Sequence, residues 1–280
     1  MTSSPDKIPV GPLQVTRHLT LAYVLSIFVA LLMTAVSLGG LVFSSTIYST
    51  NELLETYVPN DVINLIVGLP LLLGSMGFTR RGKLIGLLCW PGALLYVLYN
   101  YLAYLFGMPL SWLTLGYMAL VLSSAYSIFG LLRSIDQKAV QQQLSGVVPV
   151  KIGGWFLVVF GILFIARAVG MIAQAHISQA SLSATEVGTL IADVVISTLW
   201  IVCGTSLLQQ KPIGFVSSPG LLFVASTLFV SLILFLFLQP ILTNAPFALT
   251  DVVAVSVMGI VCFIPTGLFV RGILSSRKLR

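Results

Sequence analysis

The chain has 280 residues, 58% of them hydrophobic and only 8% charged, and a mean hydropathy of +1.05. Soluble domains carry about a quarter charged residues, so no water-soluble fold could hide this much apolar surface, and the class is a polytopic membrane protein. The formal net charge of +6 does not indicate a nucleic-acid partner, because the basic residues stand at the ends of apolar runs and form no stripe interleaved with aromatics.

Residues 1–17 are a polar tail rich in Pro and Ser. Span 1 covers about 18–43, far longer than the roughly 7–15 apolar residues of a signal peptide. Ala35-Val36-Ser37 has the small residues of a cleavage site but lies deep inside the run, so the segment reads as an uncleaved span. Ala22, Ser26, Ala30 and Thr34 recur every four residues, a row that lets a second helix approach closely. The stretch 44–60 is polar, carries Glu52 and Glu55, and reads as a loop.

Span 2 covers about 61–78 and contains Asn64 and Pro70, the latter expected to kink it. The densest basic cluster follows, with Arg80, Arg81 and Lys83. It sets orientation or touches lipid phosphates. Gly82 and Gly86 have GxxxG spacing there, a weak dimerisation signal at an interface. Span 3 covers 84–106, with Trp90-Pro91-Gly92 early and tyrosines late; span 4 covers about 112–132. Residues 133–151 form a polar loop with three consecutive glutamines, the natural midpoint. Span 5 is 152–174, span 6 about 187–208, span 7 is 215–238 with Pro219-Gly220 inside, and span 8 about 251–274 with Pro265 inside. Each run can cross a hydrocarbon core of about 30 Å at 1.5 Å per residue. The expected fold class is all-α: a bundle of eight transmembrane helices.

Thirteen of the fourteen Lys and Arg lie in the tails, in the loops after spans 2, 4 and 6, or at adjoining helix ends. The opposite loops and their helix ends hold Glu52, Glu55, Asp61, Glu186 and Asp251. The positive-inside rule therefore puts both termini in the cytoplasm, and the expected membrane is the cell membrane. Landmarks recur at offsets of about 128–137 residues: Pro12 and Pro149, Asp61 and Asp193, Pro91-Gly92 and Pro219-Gly220, and the Gly-Leu runs that end at Arg133 and Arg271. They suggest two parallel four-helix repeats related by an axis along the membrane normal. The units are then a cytoplasmic tail 1–17, a first half 18–135, a linker 136–151, a second half 152–274 and a basic tail 275–280.

The hairpin 152–208 is the stretch around which a site is expected. It holds Arg167, the one basic residue outside the cytoplasmic set, and Asp193. Counted from the basic ends of their spans, Asn64, Asn100, Arg167 and Asp193 all sit 16–17 residues in, roughly 24–26 Å up. Charges in lipid cost at least a few kcal/mol and face a bundle interior, usually paired, so Arg167 and Asp193 are expected to pair. They either form an outward-facing polar site, with Arg167 holding an anionic group, or lock spans 5 and 6 together. Tyr96, Tyr99, Tyr101 and Tyr104 surround Asn100; they wall a pocket for a flat or cationic ligand or form an interfacial aromatic belt. The Pro-Gly pairs are hinges around a site or packing kinks.

The candidate binding or charge-pair residues are Arg167, Asp193, Asn64, Asn100, Asp61, Tyr96 and Tyr99. No catalytic residue, metal site or cofactor is assigned. Cys89, Cys203 and Cys262 lie in apolar runs with no CxxC. His18 and His176 fall near opposite ends of their spans, which excludes a two-His haem pair, and no nucleotide loop, zinc-protease motif or serine elbow occurs. The expected partners are the lipid bilayer and a small-molecule ligand; the oligomeric state is left open. The leading reading is a small-solute transporter or binding protein. The alternatives are a scaffold, sensor or assembly subunit, and a lipid-modifying enzyme that would draft Asp61 and His176.

Overall fold

A computed structural model describes residues 15–16 and 19–276. Pro12, His18, most of the N-terminal tail and the basic residues of the C-terminal tail lie outside these. The chain is a polytopic bundle of α-helices, of which eight among the described residues are long and apolar enough to cross a membrane. α1 is Thr20–Val42, α2 is the short Ser44–Ile47, and α3 (Asn51–Ile63) runs through a π-helical turn, Asn64–Gly68, into α4 (Leu69–Arg80). α5 is Leu84–Gly107, α6 Trp112–Ser134, α7 Gln137–Leu144 and α8 Val150–Ile177. α9 is Ala184–Leu208, α10 Pro212–Leu242 and α11 Leu249–Ser275. The end carrying Arg80, Arg81, Lys83, Arg133, Lys151, Lys211 and Arg271 is called the basic end, the opposite one the acidic end.

Two segments expected to be loops are helical. The second span begins at Asn51, ten residues before the expected start. Thr50 caps it by accepting from the Leu53 N–H, Glu52 sits favourably in the first turn, and Leu53, Tyr57 and Asp61 share its buried face. The polar composition of this stretch masks a continuous helix. At the midpoint, Asp136 caps α7, its Oδ1 accepting from the Ala139 N–H at 3.0 Å. α7 buries Val140 and Leu144, and its Gln141 donates to the Gln210 carbonyl at 2.6 Å.

Proline acts differently in each span. Pro70 has no N–H to return to the Ile66 carbonyl, and the helix widens into its π turn just before it. The Pro-Gly pairs of α5 and α10 do not break their helices, which run continuously through Pro91 and Pro219. These pairs instead mark a crossing: a Cβ on Gly92 would collide with the Gly220 backbone, and one on Gly220 would stand 3.1 Å from the Gly92 nitrogen. Bare glycines are what let the two backbones touch. Gly82 and Gly86 both serve the α4–α5 turn. Gly82 takes φ +71 there, and a Cβ on Gly86 would lie 2.6 Å from Phe78 Cβ.

The centre of the bundle is α5, not the 152–208 hairpin. Over its most apolar 18 residues α5 is 78% buried, against 28–44% for the other seven spans. One face, with Trp90, Leu94, Val97, Tyr101 and Tyr104, packs in a cluster with residues of α1, α3 and α6. The other, with Leu88, Leu95 and Tyr96, packs in a cluster with residues of α8, α9 and α10. Trp90 and Tyr101 also bond to α1, through Ser26 at 3.0 Å and Ser37 at 3.1 Å. α8 sits at the edge and packs mainly on α9, where Gly154, Gly161 and Gly204 leave no room for a Cβ.

Candidate functional site

The two faces of α5 each deliver a tyrosine hydroxyl to a buried acid. On one side, Asp61 of α3 is fully buried. Its Oδ1 accepts from Tyr104 OH at 3.0 Å and its Oδ2 from Tyr48 OH at 2.5 Å. Tyr57, Tyr101 and Tyr117 stack around this pair of bonds. Gly40 of α1 lies against the carboxylate, where a Cβ would strike Asp61 and Tyr48. Among the described residues no cation pairs with Asp61.

On the other side, Asp193 of α9 accepts from Tyr99 OH at 2.8 Å on Oδ1 and from Arg167 Nη1 at 2.7 Å on Oδ2. The acid's side chain is 3% exposed, whereas that of Arg167 is 51% exposed. The arginine therefore lies at the margin of the bundle and reaches inward along its own stem, keeping one flank of the guanidinium open.

A cavity of about 240 Å³ opens beside Asp193. α3 contributes Thr56 and Asn60, α5 Tyr99 and Asn100, α9 Thr189 and Trp200, and α8 and α10 add phenylalanines including Phe164 and Phe229. Arg167 is not part of its wall. Asn60 and Asn100 each donate to the carbonyl four residues back, Thr56 and Tyr96, at 2.9 Å. The indole N–H of buried Trp200 has no hydrogen-bond partner. The cavity thus offers a carboxylate and carboxamides against aromatic walls, the usual composition of a small-molecule site.

Asp193, Asn100 and Tyr99 come together here, with Arg167 behind the acid. Asn64, Tyr96 and Asp61 do not. Asn64 is buried in the π-helical turn one turn from Asp61, with neither side-chain polar atom bonded. Tyr96 bonds Ser231 of α10 at 2.9 Å. Tyr96, Tyr101 and Tyr104 are at most 1% exposed, so they are not an interfacial belt; their hydroxyls pair inside the bundle. His176 is exposed at the end of α8 while Asp61 is sealed, so the two share no cleft. Thr56, Asn60 and Trp200 were missed. The first two have the i, i+4 spacing of one helix face, a signal masked by the polar composition of 44–60. No group of three or more His, Cys, Asp or Glu among the described residues could hold a metal ion.

Comparison with protein-family models, curated proteins and solved structures finds no match to this chain.

Proposed function

We propose that this multi-pass membrane protein binds, and carries across the membrane, a small amphipathic solute bearing an amine, with the Asp193 cavity as its site. The observation that carries the reading is the pairing of a buried carboxylate with an adjoining cavity while its arginine stands outside the wall. A ligand entering the cavity meets the carboxylate and aromatic faces, which suit an ammonium group, and does not meet the guanidinium, which would suit an anion. In this reading both termini are cytoplasmic, the membrane is the cell membrane, and the acidic end faces outward.

A duplicated, alternating-access architecture is part of the proposal. Gly92 and Gly220, equivalent by the sequence offset, meet each other at the α5–α10 crossing, as residues on a two-fold axis must. The contacts between halves are reciprocal: α5 packs on α9, and α10 packs on α3. The cavity lies between these elements.

The alternative is a scaffold or assembly subunit in which the ion pair fastens α8 to α9; the direct 2.7 Å contact between Arg167 Nη1 and Asp193 Oδ2 favours it. Thermal unfolding of purified protein with 2-phenylethylamine, 2-phenylethanol and phenylacetate, which share a body and differ in head group, separates the readings. The amine should raise the midpoint, the alcohol and the acid should not, and Asp193→Asn should remove the response. Stabilisation by phenylacetate would reverse the assigned polarity. No response to any of the three by folded protein would leave the fastening role.

A further inference from the structure

A second recess faces the opposite half of the bundle and has a different chemistry. α6 and α9 both pack on α5 and leave between them a groove of about 230 Å³. Its floor is the α5–α10 crossing, with Pro91, Gly92 and Gly220, and its walls include Ala125 and Leu132 of α6 and Val195, Leu199 and Cys203 of α9. The lining is almost wholly apolar: the Ser217 hydroxyl is already spent on the Ile213 carbonyl at 2.8 Å. Along α6 the lining runs from Leu132 to Ala125 and along α9 from Cys203 to Val195, about 10–12 Å at 1.5 Å per residue. It therefore begins just inside the basic end and stops near the middle of a core of about 30 Å. That is the path of one acyl chain in one leaflet.

The basic end of the bundle, toward which the groove runs past Leu132, carries the matching charge. Arg133 ends α6, exposed, with its guanidinium carbon 4.0 Å from the Phe129 ring centre. Lys211 is exposed in the α9–α10 turn beside it in depth, and Lys138 is exposed on α7, which is tied to that turn through Gln141 and Gln210. No acid among the described residues pairs with any of the three.

We propose that this groove binds one acyl chain of an anionic glycerophospholipid, with Arg133 and Lys211 holding its phosphate. The occupant comes from the leaflet at the basic end. It wedges against the α5–α10 crossing, one of the places where the two proposed halves meet.

Native mass spectrometry of delipidated protein titrated with phosphatidylglycerol and with phosphatidylcholine of the same chains tests this. Phosphatidylglycerol should bind first and saturably at one site. Arg133→Gln with Lys211→Gln should weaken it about thirtyfold, the effect of two interfacial charges, and bring it level with phosphatidylcholine. Ala125→Trp, which fills the groove, should remove the site, while Leu163→Trp on the exposed face of α8 should leave it. Should Ala125→Trp fail to fold, Leu199→Phe narrows the same groove. Equal affinity of the wild type for the two lipids would overturn the proposal. So would unchanged phosphatidylglycerol binding by a folded groove-filled variant, or equally tight binding of dodecanol, which has a chain and no phosphate.

Discussion

Asp61 and Asp193 are the same residue type at similar depth, each held by a tyrosine from the same central helix, and yet they sit in opposite kinds of environment. Asp61 is closed in by five tyrosines and a glycine, and among the described residues no cation pairs with it. Asp193 has an arginine on one oxygen and a cavity beside it. The difference lies in what surrounds the carboxyl. A polar group whose partners are all fixed side chains serves packing and specificity. One that borders open volume can trade a partner for a ligand. α5 thus holds a structural knot on one face and a candidate site on the other.

Breaking the knot should have the larger effect. Asp61→Ala strips the Tyr48 and Tyr104 hydroxyls of their acceptor in a sealed site and leaves a void. Two buried unsatisfied donors at about 1–3 kcal/mol each, with the void added, give a loss of about 3–5 kcal/mol, read as the unfolding midpoint in mixed micelles. A loss under about 1 kcal/mol would mean that the knot relaxes or admits water, and the contrast between the two acids would fail.

The ion pair should matter less, because half of Arg167 already lies open. Arg167→Ala leaves Asp193 buried with only Tyr99, which would cost 3–5 kcal/mol for a fully buried pair; discounted for the exposed arginine, about 1–3 kcal/mol is expected. Asp193→Asn should cost less, since an amide needs no counter-charge, and the double variant should recover part of the Arg167→Ala loss. A double-mutant cycle with no coupling would show that the two side chains meet without depending on each other.

Depth was legible in the sequence and direction around the helix was not. The rise per residue is fixed, so counting from the basic ends placed Arg167 and Asp193 at one level, and they do pair. The same count placed Asn64 at that level, but Asn64 is buried in the π-helical turn away from the cavity, and Tyr96, expected beside Asn100, bonds Ser231 instead. Which face a residue presents depends on the neighbours of its helix, and those are set by long-range packing. The eight spans were readable from apolar length alone. The primacy of α5 was not: its hydropathy is the lowest of the eight, because among its buried aliphatics stand tyrosines whose hydroxyls bond to Asp61, Asp193, Ser37 and Ser231 on neighbouring helices. The Pro-Gly pairs were visible as breaks, yet their role as a crossing needed the two helices side by side.

The smallest effect gives the sharpest comparison, since it removes one oxygen from each site. Tyr104 donates to Asp61 from a position 1% exposed, with no volume for a replacement. Tyr104→Phe should therefore forfeit a hydrogen bond to a carboxylate, about 1.5–3 kcal/mol. Tyr99 donates to Asp193 at the cavity wall, where water can take the place of its hydroxyl. Tyr99→Phe should cost under about 1 kcal/mol in stability and instead weaken the amine response, because the carboxylate loses the donor that fixes its orientation. The two variants should thus separate on two axes, midpoint and ligand shift. If Tyr99→Phe costs as much as Tyr104→Phe and leaves the ligand shift intact, the Asp193 site is as closed as the Asp61 one, and the cavity beside it is a packing defect rather than a place for a solute.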